Sequence, residues 1–195
     1  VLKHSLCSKR PNESQPMASP HNIVLFGFMG AGKTVVAHKI AQKTGLKLID
    51  TDDVITELAG KSIPEIFASE GEEKFRSYEH KAVAKVAQQK ETVIATGGGV
   101  ILQKSNVEAL SANGFLVLLR ASCQTLLTRV KICHTVRPLA KDEEQFRRLY
   151  QSRAELYAQI PHIVDTENLS VEDVSSQIIS LYRQAGGIAP HCCSW

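Results

Sequence analysis

No apolar run in this 195-residue sequence is long enough to cross a bilayer as a helix, which takes about 20 residues, so a membrane-spanning helix is not expected. An excess of one charge sign is also lacking. The net charge of +3 is too mild to argue for nucleic acid, and an arginine-lined pocket for an anionic ligand accounts for it equally well. The cysteines, Cys7, Cys123, Cys133, Cys192 and Cys193, are odd in number and include no Cys-x-x-Cys pair. Neither a zinc site nor a disulfide framework is indicated, and a reducing, cytoplasmic compartment fits. Residues 1–20 have no periodic apolar face and no apolar centre of a secretory signal. They read as a disordered segment, with Met17 a candidate natural start and an organelle-targeting remnant the other reading. Internal repeats and a second domain are absent as well. A chain that is 43% apolar and 22% charged suits one globular domain, here 21–185, with a disordered tail over 186–195.

The most informative stretch that is present is Gly27-Phe28-Met29-Gly30-Ala31-Gly32-Lys33-Thr34. It fits G-x-x-x-x-G-K-[ST], the phosphate-binding P-loop. Upstream, Ile23-Val24-Leu25-Phe26 is a short apolar run that reads as a buried strand; downstream, Val36, Ala37, Ile40 and Ala41 recur at helical spacing until Gly45 supplies a C-cap. A chance glycine turn would lack these flanks. The backbone of Gly27, Met29, Gly30, Ala31 and Gly32 can curl its N–H groups around phosphate oxygens, reinforced by the positive end of the helix. Lys33 can reach the outer phosphates, its charge being used only when they are bound, and the Thr34 hydroxyl can ligate magnesium. A nucleoside triphosphate, ATP, is the expected ligand.

Strand and helix patterns then alternate. Strands are expected over 46–50, 92–95, 115–119 and 160–165, with helices over 54–58, from Ser62, over 70–88, 103–113 and 123–130, from Asp142, and from Ser170. Five such alternations predict an α/β fold: a three-layer α/β/α domain with a five-stranded parallel sheet and right-handed crossovers, of the P-loop NTPase type. Asp50 and Asp52 fall at the C-terminal end of the second strand, where open α/β sheets place ligands. The third strand runs straight into Gly97-Gly98-Gly99, where a ligand could approach the backbone closely. Glu72 and Glu79 stand four before and three after Arg76, a spacing that suits both a clamp on that arginine and a solvated charged face. Arg147, Arg148 and Arg153 project from the helix that Asp142 starts. Residues 131–141 lose periodicity and read as an exposed loop.

These blocks occur in a fixed order: the P-loop, Asp50-Thr51-Asp52, Glu70-Gly71-Glu72-Glu73-Lys74-Phe75-Arg76 with Glu79, Ala95-Thr96-Gly97-Gly98-Gly99, Thr135-Val136-Arg137-Pro138-Leu139, and Arg153-Ala154-Glu155-Leu156-Tyr157. The set resembles the shikimate kinase family, small P-loop kinases related to the nucleoside monophosphate kinases, and spans about 22–185. The resemblance implies magnesium-dependent transfer of the ATP γ-phosphate to the 3-hydroxyl of shikimate. It implies that Asp52 orients and deprotonates that hydroxyl, and that Asp50 helps Thr34 hold Mg2+. Arg76 and Arg153 would clamp the substrate carboxylate, Gly97, Gly98 and Gly99 would offer backbone contacts, and Arg137 would close on the phosphates as a lid arginine. Lys33, Asp52 and Arg137 are thus the expected catalytic residues. Val35 replaces a residue that is often a second hydroxyl in the family, and Ala140 one that is often leucine. The stretch from Arg129 to Arg137 runs one residue long, which leaves the adenine-stacking residue unassigned. A monomer without nucleic-acid or membrane partners is expected. The alternatives are another small-molecule kinase of this fold, acting on gluconate or a nucleotide, and a nucleotide-binding module that has lost catalysis.

Overall fold

The computed structural model describes residues 20–132 and 142–188. Met17, Arg137 and most of the expected lid lie outside the described residues.

Five short strands, β1 (Asn22–Phe26), β2 (Lys47–Asp50), β3 (Thr92–Ala95), β4 (Gly114–Arg120) and β5 (His162–Asp165), form one sheet in the order β2-β3-β1-β4-β5. Every pairing is parallel. The α/β architecture is the expected one. Among the described residues the strands are joined by α1 (Lys33–Thr44), α2 (Thr51–Ala59), α3 (Ile63–Ser69), α4 (Gly71–Ala87), α5 (Lys104–Ser111), α6 (Cys123–Ile132) and α7 (Glu143–Tyr157), and α8 (Val171–Gln184) follows β5.

The strand order fixes where a ligand can sit. From β1 the chain moves one way along the sheet to β2, and from β3 it moves the other way, past β1, to β4. Right-handed crossovers then send α1 to one face and α4 and α5 to the other. α8 returns to pack on α1, and α4 packs on α5. The loops leaving β1 and β3 therefore diverge, opening a crevice at the C-terminal ends of neighbouring strands. Thr96, just past β3, spans the crevice floor by donating its N–H and hydroxyl to the Leu25 carbonyl at 3.2 and 2.9 Å.

The main core is the sheet itself, with Ile23, Val24 and Leu25 of β1 fully buried. That explains the unbroken apolar runs of the central strands. A second, smaller apolar cluster of Ile55, Ile66, Phe75 and Ala82 lies between α2, α3 and α4. These helices thus form a unit with its own interior beside the crevice. The two helices that flank 133–141 are tied together, since Lys131 pairs with Glu143 and Arg147 donates to the Gln124 side chain at 2.8 Å.

Some boundaries differ from expectation for local reasons. α2 starts at Thr51 rather than at 54, because the Asp50 side chain caps it by accepting from the Asp52 N–H at 3.0 Å. A 3-10 turn, Val100–Leu102, precedes α5, which ends at Ser111 rather than 113. β5 starts at His162, after Pro161, which brings no N–H to a ladder.

Candidate active site

The P-loop wraps the C-terminal end of β1. Gly30 and Gly32 take φ of 81° and 89°, left-handed values that side-chain-bearing residues rarely adopt. α1 then begins with no side-chain cap and no acidic residue in its first turn. In contrast, α2, α3, α7 and α8 all carry acidic first turns. Uncapped N–H groups and an uncompensated dipole suit this end to an anion. Lys33 does not wait idle for phosphate: its ammonium donates to the Gly27 and Phe28 carbonyls at 2.8 and 3.1 Å. The lysine therefore also stitches the loop to itself, which corrects the expectation that its charge is used only with nucleotide.

Thr34 and Asp50 meet, the hydroxyl donating to Asp50 Oδ2 at 3.0 Å. Asp50 uses its other oxygen for the α2 cap, so one residue both starts the helix that carries Asp52 and faces the P-loop. Among the described residues no three His, Cys, Asp or Glu side chains form a metal cage. A hydroxyl and one carboxylate beside a phosphate site nevertheless match the sparse donor set that Mg2+ uses, completed by water and phosphate oxygens.

The three glycines after β3 lie against three different groups. A Cβ on Gly97 would stand 2.8 Å from Asp52 Oδ1, and one on Gly99 would stand 2.0 Å from Arg76 Nη1. At Gly98 it would meet only ordinary contacts, the nearest being the Met29 nitrogen at 3.7 Å. The loop is therefore the shared wall that brings Asp52, Arg76, Arg153 and the P-loop into one crevice. Arg153 comes from α7, 101 residues after Asp52 in the sequence, and donates to the Gly98 carbonyl at 2.9 Å.

The arginines are held in unequal surroundings. Arg76 donates to Glu79 at 2.8 Å and Glu72 at 2.9 Å, so the charged-face reading of this segment gives way to a clamp: Glu79 is only 1% exposed. Burial opposes the Arg76 charge, but the Glu79 and Glu72 carboxylates outweigh it and raise its pKa. For Glu79 burial dominates and raises the pKa, against the pull of Arg76. Arg153, expected to project from its helix, is instead 3% exposed, and burial lowers its pKa. Glu79 Oε1 and Arg153 Nε are buried with no hydrogen-bond partner among the described residues. A site with orphaned groups of both signs is built to receive something polar. Beside it, Glu72, Gln145, Arg148, Leu149, Ser152 and Arg153 line an open cavity of about 360 Å³.

Three contributors were not legible as such. The buried Thr51 hydroxyl accepts the Gly97 N–H at 2.8 Å, fixing the glycine loop to α2. Tyr157, which had no role of its own at the end of the Arg153-Ala154-Glu155-Leu156-Tyr157 block, donates its hydroxyl to the Gly98 carbonyl at 2.8 Å. Phe28 packs edge-on against Phe146 and Tyr150, and the Arg153 guanidinium carbon lies 5.7 Å from its ring centre. Its signal was only a large apolar residue inside a glycine motif. Arg129, where the stretch that runs one residue long begins, donates to the Thr166 hydroxyl and carbonyl at 3.0 and 2.6 Å.

The chain is similar to known proteins of one family over most of its length. A family model described as shikimate kinase matches residues 29–183. The shikimate kinase of Thermodesulfovibrio yellowstonii is 41% identical over 166 residues, 84% of this chain and 95% of that one. Among solved structures, a shikimate kinase from Acinetobacter baumannii in complex with shikimate superposes with a TM-score of 0.79 at 34% identity, covering 85% of this chain and 94% of that one. A gluconokinase from Sinorhizobium meliloti reaches a TM-score of 0.56 at 15% identity, covering 85% and 93%, which is a likeness of fold alone.

Proposed function

The chain belongs to the shikimate kinase family, and we propose that it transfers the γ-phosphate of ATP to the 3-hydroxyl of shikimate, giving shikimate 3-phosphate on the route to chorismate and the aromatic amino acids. The observation that carries the reading is the triple-glycine wall with Asp52 at one end and Arg76 at the other. Such a wall can present a hydroxyl to a carboxylate base while the far end of the same small molecule meets arginine.

In this reading Asp52 orients the attacking hydroxyl and takes its proton. Arg76 and Arg153 hold the substrate carboxylate, a role suited to planar guanidinium forks, and that carboxylate can accept from Arg153 Nε, which has no partner among the described residues. Gly97, Gly98 and Gly99 line the substrate ring. Gly27, Met29, Gly30, Ala31 and Gly32 surround the phosphates with backbone N–H groups. Lys33 exchanges its carbonyl partners for the outer phosphates, and Arg137 stabilises the charge spread over the transferred group. Thr34 and Asp50 would hold Mg2+, which supplies charge neutralisation at the phosphates when bound. The residues bind and align rather than form covalent bonds, as phosphoryl transfer requires. The enzyme is proposed to work as a cytoplasmic monomer.

A gluconate or nucleotide kinase would share the sheet and P-loop, since fold does not fix substrate, but would leave Arg76 and the buried Arg153 without a purpose. A silent module would not need Lys33, Asp52, Arg76 and Arg153, all of which are present. The test is ADP release by the purified protein with ATP and shikimate, gluconate or a nucleoside monophosphate. Release with shikimate alone is expected. Turnover of gluconate or a nucleotide with none of shikimate would sink the assignment.

A further inference from the structure

We propose that Tyr157 is a positioning residue for substrate binding: its hydroxyl holds the Gly98 carbonyl so that the following amide, the N–H of Gly99, is presented to the substrate in the crevice. The inference rests on the functional reading above and adds a residue outside the crevice lining to it.

The argument starts from one peptide unit. In a trans peptide the C=O and the next N–H point in opposite directions, so whatever fixes the Gly98 carbonyl also aims the Gly99 amide. The carbonyl is fixed twice, by the Tyr157 hydroxyl at 2.8 Å and by Arg153 Nη1 at 2.9 Å. These donors lie four residues apart on α7 and therefore share one face over successive turns. The carbonyl oxygen has two lone pairs and both are taken. On the other side, Gly99 is buried, yet its N–H donates to no group among the described residues. A buried amide without a partner is uncommon in folded chains. The Arg76 guanidinium lies beside the Gly99 Cα, where it would clash with a Cβ. The orphan amide and the arginine are neighbouring donors at one end of the wall.

The division of labour between the two α7 donors follows from their chemistry. Arg153 has a second task, because its guanidinium is also a candidate ligand of the substrate carboxylate. When it engages that carboxylate, its hold on Gly98 must loosen or be shared. Tyr157 has no second task. It is 7% exposed and its ring packs in the main core. Burial pushes its phenol well above the ordinary tyrosine pKa, so it remains a neutral donor wherever the enzyme is assayed. A core aromatic without a hydroxyl would fill the same space but leave the peptide free to turn.

The experiment is Tyr157→Phe, which removes only the hydroxyl, with steady-state kinetics in both substrates and a melting curve beside the parent. We expect KM for shikimate to rise about two- to tenfold, the equivalent of one net hydrogen bond, while kcat and KM for ATP stay within twofold. A rise below twofold overturns the inference, as does an equal loss for ATP, which would mark a general packing defect. Should the variant fail to fold, the parent decides by NMR. The Gly99 amide proton should move downfield on adding shikimate without nucleotide, and an unmoved resonance overturns the inference. A parent that leaves shikimate unphosphorylated overturns the functional reading and this inference together. A parent active on shikimate whose Tyr157→Phe variant binds it normally overturns the inference alone.

Discussion

Replacing each of the three glycines by alanine in turn should separate binding from chemistry. None of the three has a φ in the left-handed region, so alanine brings no backbone strain and the effect of each methyl is what it meets. At Gly99 the new Cβ would fall 2.0 Å from Arg76 Nη1 and 2.9 Å from its Cζ. The guanidinium must retreat by more than an ångström to reach ordinary contact. That retreat pulls it from Glu79 and from the space a carboxylate would share with it. Because the obstructing atoms are the end of a flexible side chain, the fold should survive. Losing one charge-assisted contact is worth about 1.5–3 kcal/mol, so KM for shikimate should rise roughly ten- to a hundredfold or more, with KM for ATP little changed. At Gly97 the methyl meets Asp52 Oδ1 at 2.8 Å, so kcat should fall more than affinity, as for a group that acts on the reacting hydroxyl. At Gly98 the nearest atoms are 3.7 Å away or more, so the protein itself tolerates the methyl, and any loss must come from a clash with substrate. The assay is steady-state kinetics in both substrates with a melting curve for each variant. A Gly99→Ala enzyme with normal KM for shikimate would refute the placement of Arg76 in the carboxylate site.

Two other expectations follow from particular contacts. Lys33→Ala should abolish turnover and also lower Tm by a few degrees, because two hydrogen bonds to the Gly27 and Phe28 carbonyls are lost, each worth about 0.5–1.5 kcal/mol net; an unchanged Tm would show that these bonds contribute nothing. His162 stacks on Phe115 and burial lowers its pKa below the usual 6.5, so the stability it contributes is present above about pH 6.5 and is lost as pH falls through the depressed folded value. Melting curves between pH 5 and 8 should show a steeper acid-side decline for the parent than for His162→Phe, and parallel profiles would contradict this.

The fold was readable because its signals are local. An apolar run, a glycine loop and a helical stripe ending at Gly45 fix β1, the P-loop and α1 without reference to the rest of the chain. Five alternations of that kind leave few topologies. The site was readable only in part. Asp50 was assigned to magnesium by resemblance, but its second role as the α2 cap, which moves the helix start from 54 to 51, depends on a rotamer that spacing cannot supply. Glu79 at three residues from Arg76 is compatible with a solvated face, and only its burial beside Arg76 and Gly97 decides otherwise. Tyr157 stood out in the sequence only as the end of the Arg153-Ala154-Glu155-Leu156-Tyr157 block, and its ring packs in the core. Its hydroxyl acts on Gly98, 59 residues upstream, a relation that no periodicity encodes.

The orphaned groups in the crevice lead to a last expectation about preorganisation. Among the described residues Glu79 Oε1 and Arg153 Nε are buried without partners, and the buried Gly99 has no acceptor for its amide. Groups of this kind lower stability until something satisfies them. Here they surround the place proposed for a small carboxylate, and none of them belongs to the P-loop. Shikimate alone should therefore bind and stabilise the fold. At a concentration one hundred times its Kd the gain is about 2.7 kcal/mol, and for a domain of this size that is a rise of roughly 5–11 °C in Tm. Arg153→Lys should lose most of the rise, since an ammonium cannot reproduce the fork, while an ATP-induced shift should persist. Differential scanning fluorimetry with shikimate, ATP analogue and both would decide it. If shikimate moved Tm only when nucleotide was already bound, the crevice would have to be assembled by the P-loop ligand, and the case for a preformed carboxylate clamp would fail even though the reaction remained the same.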